Sequence, residues 1–505
     1  MDNTGCGNLL PYNGIGFDGK LKNINSAQPD SAPLPYTTIS GGSTDWEDKS
    51  PTTSWKFGNP IWDYPNSTGV NGDPIDWNIV VTTNNIKSGN NDITLLGLIV
   101  QTGELTILDP TAAENENNNG QGLWVTHYLK LDGQIDLVGE SQLVQKRYTA
   151  AQFNESILDI TSAGYLERDQ QGSVNKYNYN YWSSPVGAKN NMANNEPITL
   201  LNNKMDGTTS IPKLINWLAS GRDASAPNPV SIPEFWLWAY ENYTSNTYGK
   251  WAKLYRNSGI KAGLGYTMKG SGSTSYSYQN YTFTGKPNNN IIKRAITLYN
   301  DALVGNPYPS ALNAYEFIKD NIPLLDPDGS ASAANSGTTG SIDGSLYFWI
   351  HFDSNNTHVL REYQGGYAIY TLSGGVAPVE GLKYTTTDGF EISGGGNSSL
   401  RPGQYIPVAQ GFFVHSADAN KIKNELKFQN SQRAFQRETN DNSSDGSQFL
   451  KSNNSKDAKS SSNPPIDETA IKRLRLQFKT PEGARRHLLL AFTPDNAASD
   501  GFDYG

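Results

Sequence analysis

The chain has 505 residues, and its 49 acidic against 40 basic side chains give a formal net charge of −9. The length predicts two to four domains, and the acidic balance excludes a nucleic-acid-binding protein, which needs clustered Lys and Arg against phosphate groups. With 11% aromatic and only 18% charged residues, the composition also excludes a mainly disordered chain.

The single cysteine and the hydropathy pattern exclude further classes of protein. Cys6 is the one cysteine of the sequence, so no internal disulfide and no cysteine-based zinc site is predicted. No apolar run approaches the roughly 20 residues of a membrane-spanning helix. The opening MDNTGCGN lacks the basic and apolar regions of a signal peptide. We therefore expect the sequence to be a fragment of a longer protein.

The first part of the chain predicts a change of architecture near residue 76. Residues 1–75 are rich in Pro, Gly, Ser and Thr and predict an irregular segment or cap. Residues 76–147 carry short alternating apolar pairs separated by turn residues such as SGNN and DG. This spacing favours a parallel β-helix, a solenoid in which each turn stacks on the last. A run of antiparallel hairpins is the alternative.

Residues 148–430 predict an aromatic-rich β-sandwich or jelly-roll-like region. Strand-like runs such as LYFWIHF, GYAIYTL and GFFVHS are separated by turn signals at hairpin spacing. One helix is predicted at Pro309–Asn321, because proline suits a first helical turn and Leu312, Tyr315, Phe317 and Ile318 give an apolar face. The overall prediction is an all-β fold.

The last part of the chain predicts a linker and then a further module. Residues 431–468 are rich in Ser, Asn and charge and predict a flexible linker. Residues 469–505 contain two apolar-alternating runs on either side of TPEG, a turn sequence. We expect a β-hairpin here that begins another β-domain.

The sequence contains no complete catalytic or metal-binding motif. Of the carboxylates, Glu234, Glu241 and Glu362 lie beside aromatic residues, where burial could raise a pKa and suit an acid catalyst. His351 and His358 flank a predicted turn and, with Asp353, could hold a metal, but the pattern favours surface or strand-face histidines without a ligand.

One loop has oxygen ligands at spacing that calcium prefers. Between residues 324 and 344, carboxylate and hydroxyl groups fall at alternate positions and are followed by glycine. A solvated loop is the alternative, because the distal glutamate of a complete calcium loop is missing. The candidate calcium ligands are Asp326, Asp328, Ser330 and Asp343.

An aromatic stripe is the candidate binding surface. Trp236, Trp238 and Tyr240 alternate along one predicted strand and would share one face. Such a stripe either fills the core or forms a stacking platform for the sugar rings of a glycan.

Three short motifs, in this order, carry a family resemblance. They are WSSPV at 182–186, GNPYPS at 305–310 and QGFFV at 410–414. Residues 76–505 resemble large secreted surface proteins of Bacteroidetes that are exported by the type IX secretion system. The resemblance implies an extracellular, cell-surface location and contact with the type IX machinery. It also implies that RLRLQFK and the residues after it begin the β-domain before a C-terminal sorting domain. It implies no catalytic residue.

Two functional classes follow from these patterns. The first is a non-catalytic cell-surface protein, an adhesin or structural module with surface glycans or other cell-surface proteins as partners. The second is a secreted hydrolase or lyase acting on polysaccharide, for which Glu234, Glu241 and Glu362 would be the acid–base candidates. A scaffold without any ligand is a third alternative.

Overall fold

The computed structural model describes most of the chain between residues 36 and 438, and one hairpin beyond it. The described residues are 36–42, 44–49, 54–56, 64–67, 78–108, 120–146, 156–244, 248–322, 340–352, 356–359, 363–378, 384–385, 391–392, 398–417, 424–438, 472–479 and 485–492. The chain divides into two compact units, of which one comprises Met1–Pro323 with Thr339–Asn453 and the other Leu324–Thr338 with Asn454–Gly505. The described residues are mostly β, as predicted.

The first ten strands belong to the larger unit. They are β1 (Tyr36–Thr37), β2 (Ile79–Thr82), β3 (Ile86–Lys87), β4 (Ile93–Val100), β5 (Glu104–Ile107), β6 (Gly122–Leu131), β7 (Gln134–Leu137), β8 (Gln142–Val144), β9 (Ile157–Leu158) and β10 (Tyr165–Ser173).

Strands β2 to β8 alternate between two sheets, and the ten strands pair with one another in parallel. One sheet has the order β1-β2-β4-β6-β8, with β9 also on β6, and the other takes β3, β5, β7 and β10. In β4, Ile93 and Leu95 are buried before a β-bulge between Leu95 and Gly97, and Leu98 and Val100 are buried after it. Burial of apolar residues from both sheets explains why the runs after residue 76 adopt strands.

Glycines stack where successive connections between these strands meet. A β-carbon on Gly133 would lie 2.5 Å from the carbonyl oxygen of Gly103, and one on Gly164 would lie 1.9 Å from that of Gly133. Both distances are too short for any larger residue. The chain therefore returns to the same place about every 30 residues, and only glycine fits there.

The middle of the chain forms shorter strands around one long one. They are β11 (Tyr179–Trp182), β12 (Val186–Gly187), β13 (Lys204–Asp206), β14 (Lys213–Leu214), β15 (Asn216–Leu218), β16 (Ser231–Pro233), β17 (Trp238–Ala239), β18 (Tyr243–Thr244), β19 (Ala252–Lys253), β20 (Tyr266–Lys269), β21 (Tyr278–Pro287), β22 (Ile292–Ala295) and β23 (Asn300–Gly305). The short helix α1 (Leu200–Asn203) precedes β13. Strand β21 pairs antiparallel with β10, so the second parallel sheet continues into the middle of the chain.

The remaining elements complete the larger unit and give the smaller one its hairpin. They are β24 (Ala311–Asn313), α2 (Ala314–Asn321), β25 (Ile342–His351), β26 (Gly365–Thr371), β27 (Gly374–Val376), β28 (Tyr384–Thr385), β29 (Glu391–Ile392), β30 (Tyr405–Ile406), β31 (Gly411–Ser416), β32 (Glu425–Phe428), β33 (Arg433–Ala434), β34 (Lys472–Lys479) and β35 (Arg485–Phe492). An antiparallel sheet has the order β18-β23-β31-β25-β26-β27. Strands β34 and β35 pair antiparallel, which is the predicted hairpin.

The predicted helix exists but begins later than expected. Helix α2 starts at Ala314 because the Asn313 side chain accepts hydrogen bonds from the backbone N–H groups of Tyr315 and Glu316, an N-cap. The preceding Ala311–Asn313 pairs as a strand instead. Phe317 and Ile318 of the predicted apolar face are buried. No helix in the described part of the chain is long and apolar enough to cross a bilayer.

Arg433, near the end of the larger unit, forms hydrogen bonds with residues that come much earlier in the sequence. The guanidinium is fully buried and lies 4.8 Å from the Tyr308 ring centroid. It donates to the Leu143 carbonyl at 2.6 Å, to Ser310 Oγ at 3.2 Å and to Asn289 Oδ1 at 3.0 Å. A buried cation is stable only when its N–H groups are satisfied, and carbonyl, hydroxyl and amide oxygens satisfy Arg433.

Candidate functional site

The two acid–base candidates that the structure describes are both held by arginine. A carboxylate oxygen of Glu234 lies 3.0 Å from a guanidinium nitrogen of Arg256, and the side chain is only 8% exposed. Glu241 forms an ion pair with Arg294. Glu362 lies outside the described residues. Glu234 and Glu241 therefore each have an arginine as a structural partner.

The aromatic stripe does not run along one strand. Trp236 closes a 3₁₀ turn, Glu234–Trp236, and only Trp238 begins strand β17. The turn forms because the Trp236 indole N–H donates to the Arg222 carbonyl at 2.7 Å and the Lys253 ammonium donates to the Glu234 and Leu237 carbonyls. These tertiary contacts override the alternation of the sequence, so the prediction of a single strand is wrong.

The burial of the three aromatic residues differs. Trp236 and Tyr240 are each 4% exposed, and Tyr240 packs against Trp251 and Phe413. Trp238 is half-buried. The core alternative therefore applies to Trp236 and Tyr240, and Trp238 alone of the three keeps an accessible surface.

The candidate calcium ligands are described only at Asp343. Its carboxylate accepts hydrogen bonds from the Ser345 backbone N–H at 2.9 Å and the Tyr347 hydroxyl at 3.2 Å. Asp326, Asp328 and Ser330 lie outside the described residues, so calcium binding there stays a prediction. No group of three or more His, Cys, Asp and Glu within the described ranges is placed to hold a metal ion.

The three family motifs meet in the interior. Trp182 pairs with Gln410 through an isolated antiparallel bridge, and the Ser183 N–H donates to the Ala409 carbonyl at 2.7 Å. The Asn306 N–H donates to the Gln410 carbonyl at 3.0 Å. We call residues 182–186, 305–310 and 409–411 the motif junction. It joins three chain segments that are far apart in sequence.

The polar groups of the motif junction are directed at backbone. The Asn306 amide donates to the carbonyls of Ser310 at 2.8 Å and Pro407 at 3.0 Å, and Gln410 donates to Gly411 at 2.7 Å. Ser184 Oγ donates to the Val186 carbonyl at 2.8 Å. Buried amides and hydroxyls that are satisfied in this way fix the chain rather than bind a ligand.

The glycines of the motif junction leave no space for a side chain. A β-carbon on Gly305 would lie 2.6 Å from the Gln410 carbonyl oxygen and 2.7 Å from the β-carbon of Ser183. One on Gly411 would lie 2.8 Å from the Tyr181 carbonyl carbon. The two glycines therefore allow the three backbones to approach closely.

A fully buried lysine lies beside the motif junction. The Lys204 ammonium is enclosed by four aromatic rings and hydrogen-bonds to the Tyr266 hydroxyl at 3.3 Å. Burial holds the Lys204 pKa well below its usual range. None of the carboxylates that the structure describes forms an ion pair with it. The ring centroids lie 3.3 to 5.6 Å from the nitrogen and belong to Trp182, Phe283, Tyr281 and Tyr266.

A second buried lysine belongs to a polar cluster that sequence reasoning missed. Lys269 is 2% exposed and its Nζ lies 3.5 Å from the Trp236 ring centroid and 2.9 Å from His358 Nδ1. It also donates to the Tyr363 hydroxyl. Burial lowers the Lys269 pKa to about 7, against an opposing effect of Asp223. The Lys269 ammonium thus contacts the side chains of Trp236, His358 and Tyr363.

His358 links Lys269 to a carboxylate. Its Nε2 lies 2.7 Å from Asp223 Oδ1, and its ring stacks on Trp236 at 4.8 Å between centroids. Burial lowers the His358 pKa, against the opposing effect of Asp223. A neutral imidazole that donates through Nε2 and accepts from Lys269 through Nδ1 fits this geometry. The cluster can bind a proton, but the Lys269 amine is buried and is not accessible to solutes.

His351 is in a separate network. It is 2% exposed, and its Nε2 accepts hydrogen bonds from the Tyr179 backbone N–H at 2.8 Å and the Trp349 indole N–H at 3.0 Å. Because Nε2 is already an acceptor for two donors, it is not directed at a metal shared with His358. The suggested partner Asp353 lies outside the described residues. Alternating residues 349 and 351 in β25 are the sequence signal for this network.

Comparison with known proteins places the chain in a family. A family model described as a domain of unknown function, DUF8693, matches residues 59–505. A search of curated proteins found no match, and a search of solved structures found none either. Since the matched residues make up most of the sequence, the chain belongs to the DUF8693 family.

Proposed function

We propose that this chain is a non-catalytic module of an extracellular cell-surface protein, an adhesin or structural unit that is exported by type IX secretion. The observation that carries the proposal is the motif junction. The three motifs that resemble those of secreted surface proteins bond to one another's backbone in the interior. Buried residues whose polar groups are bonded to backbone in this way maintain a fold rather than perform a reaction.

The architecture supports a structural role. We propose that the parallel sheets of β1–β10 form a β-solenoid, since strands alternate between two sheets and glycines stack about every 30 residues. We propose a sandwich-like region for the antiparallel sheets that follow. Solenoids present long, regular surfaces and suit stalks and adhesive proteins.

The chemistry of the described residues also favours this function over a polysaccharide hydrolase. A glycosidase requires two carboxyl groups roughly 5 to 10 Å apart in an open site. Glu234 and Glu241 are held by Arg256 and Arg294 instead. Glu234 and Glu241 are therefore not available as the acid–base pair that a polysaccharide hydrolase needs.

Two measurements test the proposal. The purified chain is incubated with a panel of plant, algal and bacterial polysaccharides, and the release of reducing ends is measured. We expect no release above that of heat-treated protein. Catalytic depolymerisation that is lost in Glu234→Gln would overturn the proposal in favour of the hydrolase.

The location is tested in the producing cell. Antibody labelling of intact cells should detect the chain on the surface, and labelling should disappear when type IX secretion is disabled. Surface labelling that persists without the type IX system would contradict the export route. Signal only after cell lysis would contradict the surface location itself.

A further inference from the structure

Three aromatic residues with exposed or half-buried rings lie on or next to the paired strands β17 and β19. Phe235 is 40% exposed and Tyr255 is 53% exposed, while Trp238 is half-buried. We call these three residues, with Arg222 and Lys253, the aromatic ledge. Exposed aromatic groups that cluster in this way mark an interaction surface more often than single exposed residues do.

Direct contacts hold the members of the ledge together. Trp238 lies opposite Lys253 in the β17–β19 pair, and the Lys253 nitrogen lies 5.1 Å from the Trp238 ring centroid and 5.2 Å from that of Tyr255. The Trp238 indole N–H donates to the Phe235 carbonyl at 2.8 Å. The Arg222 guanidinium carbon lies 4.8 Å from the Phe235 ring centroid. The rings therefore have fixed positions before any ligand arrives, which lowers the entropic cost of binding.

The exposed cation of the ledge is Arg222, and the carboxylate of the neighbouring Asp223 is paired with Lys176 and His358. Arg222 is exposed, and within the described residues no carboxylate forms an ion pair with its guanidinium. Lys253 donates to backbone carbonyls, including that of Leu254 at 2.9 Å. The nearby carboxylate of Glu234 is 8% exposed and paired with Arg256. An exposed guanidinium without a carboxylate partner, beside aromatic rings, favours an anionic group on the binding partner.

We propose that the aromatic ledge binds an acidic polysaccharide whose repeating units carry carboxylates, such as a polyuronate. The C–H face of a sugar ring packs on Trp238 and Tyr255, whose large rings supply contact area at little entropic cost. The carboxylate of the same or the next sugar pairs with Arg222, since the guanidinium fork matches a carboxylate in two hydrogen bonds. This inference rests on the proposed adhesive function and names its ligand class.

Binding is measured by titration calorimetry of the full chain with polygalacturonate at low ionic strength. Fully methyl-esterified polygalacturonate is the matched neutral probe, and single-stranded DNA of equal charge is the general polyanion. We expect saturable binding to polygalacturonate, at least tenfold weaker binding to the ester, and weaker binding as salt rises. Equal affinity for DNA would overturn the inference, because it would show a general attraction for polyanions.

Variants locate the binding surface. Arg222→Gln, Trp238→Ala and Tyr255→Ala should each weaken binding to polygalacturonate by at least tenfold. The matched controls Lys261→Gln and Tyr276→Ala remove an exposed cation and an exposed ring elsewhere, and they should bind as the unchanged chain does. Thermal unfolding verifies that each variant is folded. Binding that all three ledge variants retain would overturn the inference.

The outcomes separate this inference from the proposed function. If no acidic polysaccharide binds, the ledge assignment is wrong, while the absence of depolymerisation and the surface labelling still support a structural surface module. If polygalacturonate is cleaved, the non-catalytic function itself is wrong.

Discussion

The Lys204 side-chain nitrogen lies 3.3 Å from the centroid of the Trp182 ring, and both residues are fully buried. Trp182 belongs to the WSSPV motif, so the motif covers a buried amine as well as joining three chain segments. Attraction between an ammonium and an aromatic face offsets only part of the cost of removing a charge from water. Lys204 therefore reduces the stability of the fold whenever it is protonated.

Replacing Lys204 with methionine should stabilise the protein. Methionine fills a similar volume without a charge, and at about pH 7 we expect the free energy of unfolding to rise by roughly 1 to 3 kcal/mol. The folded-state pKa is lowered, so the unfolded chain binds more protons and stability rises with pH toward the usual lysine pKa. The advantage of Lys204→Met should thus shrink between about pH 7 and pH 9.5. Urea unfolding at several pH values measures both effects.

The exposed Lys261 provides the control for this prediction. Lys261→Met should change the free energy of unfolding by less than about 0.5 kcal/mol. A Lys204→Met variant that is less stable than the unchanged chain across this pH range would contradict the prediction.

His351 should make the fold sensitive to acid. Burial lowers its pKa to about 3 from about 6.5, so stability is complete above the unfolded value and is lost as pH falls from about 6.5 toward about 3. In His351→Gln, an amide oxygen can accept the hydrogen bonds of Tyr179 and Trp349 without binding a proton. We expect a smaller loss of stability for this variant between about pH 7 and pH 4, measured by urea unfolding.

Comparing the unchanged protein with His351→Gln at a pH where His351 is neutral separates the effect of packing from the effect of protonation. At about pH 8 the two proteins should differ only through packing. Parallel stability curves from about pH 8 to pH 4 would show that His351 does not carry the acid sensitivity.

Replacing Ala409 with glycine should stabilise the protein. Its φ angle is 60°, in the left-handed region that alanine adopts at a cost of about 1 kcal/mol. Ala409→Gly should therefore raise the free energy of unfolding by several tenths of a kcal/mol up to about 1 kcal/mol. Ala302→Gly, in the buried strand β23, should destabilise instead. A destabilised Ala409→Gly would mean that packing of the methyl group outweighs the backbone strain.

Gly305→Ala should damage the motif junction. The added carbon would lie 2.6 Å from the Gln410 carbonyl oxygen, so the segments must separate and the free energy of unfolding should fall by at least about 1 to 3 kcal/mol. Gly259→Ala is the matched control, because its nearest neighbour would lie 3.7 Å away. Thermal unfolding of both variants decides the prediction, and equal melting temperatures would refute close packing at Gly305.

Much of the strand content could be predicted because apolar alternation and turn residues are local signals. The alternating pairs Ile93/Leu95 and Leu98/Val100 are buried in β4, on either side of a β-bulge that the sequence does not announce. The start of α2 could not be placed, because Asn313 caps the helix while Ala311–Asn313 pairs with distant strands. Such pairing depends on residues that are about 100 positions away.

The candidate site was less predictable than the strands. The rings of Trp236 and Tyr240 could be assigned either to a core or to a platform, and only their tertiary contacts decide for the core. Lys269 has no local pattern that relates it to His358 or Asp223, since the three residues come together only on folding. The exposed Tyr255 and Phe235 are likewise distinguished from buried aromatics by packing and not by sequence spacing.

The reach of Arg433 has a consequence for the order of folding. Its hydrogen bond to Leu143 spans 290 residues, and Gln142 donates to the Gln436 carbonyl across a similar interval. Contacts of such long range form slowly, because closing the intervening loop costs entropy before the contact forms. A chain that is made or exported from its N-terminus must therefore wait for residue 433 before the core around Leu143 is closed.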